Sequence, residues 1–97
     1  MSKVYRIFNV DRKEYLDANS FPEGGKIDSF LRPFEYGVLS ALFLLLDADR
    51  DGGRWSNNRI IIENDYNDDY FDFEKIYKNI TSDMLEELLE YKNQAEA

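Results

Sequence analysis

The sequence predicts an α+β domain: an antiparallel sheet of about four strands, a buried central helix, and a C-terminal amphipathic helix on one face. Three observations predict it. The segments Lys3 to Val10 and Arg59 to Asn64 carry the β-branched and aromatic residues of strands. Val38 to Leu46 is apolar for nearly its whole length, longer than a typical strand. Met84, Leu85, Leu88 and Leu89 form a stripe at helical spacing. A chain of 97 residues has room for one domain, residues 1–97, with one core. Its 43% hydrophobic and 15% aromatic content is enough to fill that core.

In Lys3 to Val10, Val4, Phe8 and Val10 share one face while Tyr5 and Ile7 share the other. Both faces are largely apolar, which places this strand inside the sheet. Arg6 in its middle is expected to pair with a carboxylate. Asp11-Arg12-Lys13 is a polar break, and Glu14-Tyr15-Leu16 reads as a short returning strand. Pro22, Gly24 and Gly25 mark a loop over residues 19–26.

Ile27, Phe30, Leu31 and Phe34 recur at i, i+3, i+4 and i+7. Pro33 lacks an amide donor and clashes with the preceding turn, so it belongs near the start of a second helix. That helix is expected to run to Leu46. It is apolar nearly all round, so burial on most sides is expected. Gly37 inside it would weaken it by roughly 1 kcal/mol relative to Ala. The consecutive Ile60, Ile61 and Ile62 suit a central strand or one covered on both faces. Asp65 to Asp69 is a polar turn, and the partial alternation of Tyr70 to Tyr77 predicts another strand. Thr81 or Asp83 can cap the last helix, and Ile80 can staple onto Leu85 if Thr81 is the cap.

The net charge of −8 is unevenly placed. Residues 1–46 hold six acids and six bases; residues 47–97 hold fourteen acids and six bases. An acidic half repels phosphate backbones, which argues against nucleic-acid binding and suits a cation or a basic protein surface. Cysteine and histidine are both absent, which rules out Ser/His/Asp and Cys/His catalysis and leaves only hard, oxygen-bound metals. Gly24-Gly25 and Gly52-Gly53 lack the lysine and the strand–helix context of a phosphate loop. No activity as an enzyme is expected. No signal or anchor pattern is visible, so a cytoplasmic protein without membrane association is expected.

Two acidic segments stand out. Asp47, Asp49 and Asp51 with Gly52 match positions 1, 3, 5 and 6 of a calcium loop. Position 12 falls on Asn58, one neutral oxygen where a bidentate Glu belongs, and a strand follows where a helix should. Arg50 and Arg54 lie within the loop and can neutralise it. Calcium at Asp47, Asp49, Asp51 and Asn58 is therefore the alternative reading, and no cofactor is the first. The second segment holds Asp65, Asp68, Asp69, Asp72 and Glu74, interleaved with Tyr66, Tyr70, Phe71 and Phe73 and with no base among them. Acids beside aromatics can meet Arg and Lys on a partner through ion pairs and cation–π contact.

The start Tyr5-Arg6, Asn9, Asp11, Glu14-Tyr15-Leu16-Asp17, Phe21 and the later Gly53, Trp55, Arg59-Ile60, Ile62, Asp65-Tyr66 form a pattern. It resembles a family of small uncharacterised bacterial proteins with a "YR…N.D..EYLD…F" start and a "G.W…RI.I..DY" segment. The resemblance spans most of the chain and implies no activity, cofactor or ligand. The chain departs from it in the shorter, Asp-rich connection before Trp55. Trp55 at a strand entrance is expected to fill the core. The function expected is that of a small acidic protein-binding module, such as an inhibitor, immunity or phage-type antagonist protein. Its contact residues would be Asp65, Asp68, Asp69, Tyr70, Asp72 and Glu74, and its partner would carry a basic surface. Paired copies would bury further apolar surface, so a homodimer is also compatible with the composition.

Overall fold

The computed structural model of the chain describes residues 3–21, 37–47 and 54–96. The expected loop beyond Phe21, the helical spacing of Ile27 to Phe34, and Asp49, Asp51 and Gly52 lie outside those residues. The architecture is α+β. Four strands form one sheet in the order β3-β1-β2-β4, with β1 Tyr5–Asn9, β2 Glu14–Asp17, β3 Ile60–Asn64 and β4 Lys78–Asn79. Among the described residues the helices are α1 Val38–Leu46, α2 Asp68–Ile76 and α3 Thr81–Glu96, and a 3-10 turn, Ala18–Ser20, follows β2.

β1 is interior, as its two apolar faces predict. It pairs antiparallel with β2, setting Ile7 opposite Leu16 and Phe8 opposite Tyr15. It also pairs antiparallel with β3, setting Ile7 opposite Ile62 and Phe8 opposite Ile61. The sheet is nonetheless mixed and not antiparallel throughout, because β4 runs parallel to β2. A two-residue strand is too short to leave any periodicity in the sequence. The isoleucine run of β3 is not central either. β3 is an edge strand, and Ile62 is 56% exposed.

Alternate side chains of β1 point to opposite faces and separate two apolar clusters. Ile7 and Leu16 pack with Val38, Ala41, Leu44 and Leu45 of α1, Met84 and Leu88 of α3, and Trp55. Phe8 and Tyr15 pack with Tyr77 and with Phe73 of α2. The Phe8 ring meets Phe73 edge-on at 5.2 Å, and Phe73 stacks on Tyr77 at 4.9 Å. Helices therefore cover both faces of the sheet, not one.

The expected strand at Tyr70 to Tyr77 is the helix α2. Tyr70, Phe73 and Tyr77 stand at i, i+3 and i+7, so helical geometry gathers all three toward the sheet, where a strand would send Tyr70 away from the other two. The Asn67 side chain caps the helix by accepting the Asp69 N–H, and Asp68 and Asp69 favour its positive end. α1 begins later than expected: Gly37 is its N-cap, outside the helical residues. Nor is α1 buried all round, since Leu39, Phe43 and Leu46 face water. At the start of α3, Asn79 Oδ1 accepts the Thr81 N–H at 2.9 Å. The Thr81 hydroxyl, one of the two caps expected beside Asp83, instead accepts the Asp17 N–H at 2.8 Å and ties the helix to the end of β2.

Candidate functional site

α2 is held to the sheet through Arg6. The side chain of Arg6 is buried on the Phe8 face, with its guanidinium 4.0 Å from the centre of the Tyr70 ring and 5.4 Å from that of Tyr15. Its Nη2 lies 3.5 Å from Asp17 Oδ2, and its Nη1 lies 3.4 Å from Glu74 Oε2. Nη1 also donates to the Tyr70 carbonyl at 3.3 Å. Burial opposes the charge of Arg6, but Asp17, Tyr70 and Glu74 outweigh it and raise its pKa. Burial likewise pushes the phenols of Tyr15 and Tyr70 above their usual value, with Arg6 pulling the other way. The expected pairing of Arg6 with a carboxylate is what the fold shows.

That anchor sorts the acidic segment by position. Tyr70 is buried and faces Arg6. Glu74 sits at the inner edge of α2, with its carboxylate turned to Arg6. Asp65 lies in the turn before α2 and accepts the Val4 N–H at 3.2 Å. Asp68, Asp69 and Asp72 are exposed on the outer side of α2. Among the described residues no ion pair joins any of these three to a base. Asp68 and Asp72 are one turn apart on the crest, and Asp69, Asp72 and Ile76 share a flank. Phe71 and Ile76 are 48% and 65% exposed beside them. Phe71 and Ile76 are not among the contact residues expected from the sequence. A helical period through Tyr70, Phe73 and Tyr77 is the signal that would have turned them outward.

Two arginines of the second half have local partners. Arg54 Nη1 donates to Glu87 Oε2 at 2.7 Å. Arg59 donates to Asp11 from its backbone N–H, Nε and Nη2, at 2.7 to 3.1 Å. The backbone bond first, then the side-chain bonds, hold the Asp11 carboxyl below its ordinary pKa. Trp55 is fully buried, and its indole Nε1 donates to Glu14 Oε1 at 2.9 Å, so it fills the core as its place in the sequence predicts.

Of the calcium-like set, Asp47 is the C-cap of α1, and Asn58 accepts from Asn9 Nδ2 through its side-chain oxygen at 3.0 Å. Asp49 and Asp51 lie outside the described residues. Among the described residues no three acids cluster as a metal site, and no helix is long and apolar enough to cross a membrane.

Comparison of the chain with protein-family models, curated proteins and solved structures gave no match.

Proposed function

We propose that the chain is a small acidic protein-binding module, acting in the cytoplasm, that takes a basic partner surface on the outer side of α2. It works as an inhibitor, immunity or antagonist protein does, by occupying the partner. The observation that carries this reading is the exposure of Asp68, Asp69 and Asp72 beside Phe71 and Ile76 on one helix. Clustered carboxylates speed encounter with a basic surface and fix its orientation. The exposed aromatic Phe71 at their edge supplies an apolar anchor of the kind that dominates binding energy once water is excluded. The Arg6 contact holds α2 against the sheet, so little ordering cost remains at binding. Glu74, Asp65 and Tyr70 set the helix in place, and the outward aspartates meet the partner.

The test is affinity capture from native lysate on three baits side by side: wild type, the Asp68→Lys/Asp69→Lys/Asp72→Lys variant, and Phe71→Ala. The wild type retains a basic protein that elutes with salt. The triple variant loses it, while Phe71→Ala retains it with faster dissociation. Asp72→Lys alone, outside the first helical turn, guards against loss of the fold and weakens capture in the same direction. Equal recovery on wild-type and triple-variant baits overturns the reading.

A further inference from the structure

β3 stands at an open edge of the sheet. The Arg59 carbonyl accepts the Val10 N–H at 3.0 Å, and the Asp65 N–H donates to the Val4 carbonyl at 3.1 Å. Backbone groups alternate in direction along an antiparallel strand. Arg59, Ile61, Glu63 and Asp65 therefore turn theirs toward β1, and Ile60 and Ile62 turn theirs outward. Among the described residues nothing bonds to the outward N–H and C=O groups of Ile60 and Ile62. An unpaired edge is a template for one more strand, and β3 carries no proline or lysine to block it.

The order of charges along β3 selects a second copy of the chain. A two-fold contact requires a strand that complements itself. With Ile61 on the axis of an antiparallel pair, each Ile60 faces the partner subunit's Ile62, and their outward groups bond each other. In that register Arg59 falls opposite the partner subunit's Glu63, and opposite charges directly across a pair attract. Both side chains are available. Arg59 spends Nε and Nη2 on Asp11, which leaves its Nη1. Glu63 is in no ion pair among the described residues. The neighbouring registers, with Ile60 or Ile62 on the axis, set Arg59 or Glu63 against Ile61 instead. The acids nearest this edge are engaged: Asp11 bonds Arg59, and Asp65 turns inward to accept the Val4 N–H. α2 is tied to β1 through Arg6, and α3 with its acids packs against β2, two strands from the edge. Both β3 strands thus stand between the acidic helices of the two copies.

We propose that β3 pairs antiparallel with β3 of a second copy and joins the two sheets into one, with Ile61 on the two-fold axis and Arg59 facing the partner subunit's Glu63. The contact uses neither the outward acids of α2 nor Phe71, so it stands apart from the partner-binding reading.

Sedimentation equilibrium from low micromolar to near-millimolar concentration reads the mass directly. One five-residue strand per copy makes a small contact, so dimer is expected toward the top of that range. Glu63→Arg and Arg59→Glu each set like charges across the pair and are expected to leave monomer. Mixed in equal amounts, the two variants are expected to form a heterodimer, because each reversed charge then meets the other. Ile62→Pro removes an outward N–H and no bond to β1. It is expected to keep the melting midpoint and to weaken the dimer by roughly thirtyfold, two backbone bonds being lost per dimer. A wild-type chain of monomer mass throughout overturns the proposal. So does a dimer indifferent to Ile62→Pro, or a mixture of the two charge variants that stays monomeric. If the chain itself covers this edge, Ile62→Pro lowers the melting midpoint of a species already at monomer mass, which also overturns it.

Discussion

Arg6 shows how one side chain can tie three elements together. Its β1 position opposite Asp17 is set by register, while Tyr70 and Glu74 come from a helix more than sixty residues away. The planar guanidinium both stacks on Tyr70 and bonds its carbonyl, which an ammonium cannot do with the same geometry. Arg6→Met leaves Asp17 without its counter-charge in a largely buried place and is expected to cost about 3 kcal/mol in urea unfolding. Glu74→Gln removes a carboxylate that is nearly half exposed and is expected to cost under about 1 kcal/mol. Equal costs for the two variants would contradict the pinning role given to Arg6. Asp11 gives a second residue-scale expectation, in pH. Its folded-state pKa lies below its unfolded one, so the Arg59 contact contributes stability above the unfolded value. That contribution is lost as pH falls through the folded value, below about pH 4. The stability difference between wild type and Asp11→Asn therefore narrows in acid; a constant difference from neutral pH to pH 2 would refute it.

Among the elements, α2 and α1 departed most from expectation, for related reasons. Each contains more apolar residues than one face can bury. In α2 the surplus Phe71 alternates with Phe73 as in a strand and hides the Tyr70–Phe73–Tyr77 spacing. In α1 the surplus, Leu39, Phe43 and Leu46, imitated full burial. The local signal that decides α2 is its cap. Asn67→Ala is expected to destabilise the chain by about 1 kcal/mol in chemical denaturation, and an unchanged midpoint would show that the cap is not needed. The Asp-rich connection after α1 carries its own expectation. Asn58, the twelfth position of the half motif, already gives its oxygen to Asn9, and no carboxylate stands in its place. The melting midpoint is expected to be equal in millimolar calcium and in chelator, and a calcium-dependent rise would put a metal in that loop.

Over the whole molecule, acids stand on both faces of the sheet. Asp68, Asp69 and Asp72, in no ion pair among the described residues, stand on α2 at one face, while α3 with Asp83, Glu86, Glu87 and Glu90 packs beside the uncharged α1 at the other. Net charge far from zero strains the compact state by self-repulsion, and salt relieves it. Raising sodium chloride from low concentration is therefore expected to raise the melting midpoint, more in the wild type than in Asp68→Asn/Asp69→Asn/Asp72→Asn. A midpoint that falls with salt would mean that ion pairs such as Arg54–Glu87 outweigh the repulsion.

The α+β class, the interior β1 strand, the buried Trp55, the carboxylate partner of Arg6 and the acidity of the second half were all legible in the residues alone. These follow from composition, short-range periodicity and the cost of burying an unpaired charge, all of them local or global properties of the chain. Long-range packing settled that Tyr70 to Ile76 is helical, that β4 runs parallel to β2, and that helices cover both faces. It alone placed Asp68, Asp69 and Asp72 on the surface while turning Glu74 toward Arg6. Each of those outcomes depends on contacts between residues far apart in the chain, and the side an apolar or acidic residue faces is fixed by what packs against it.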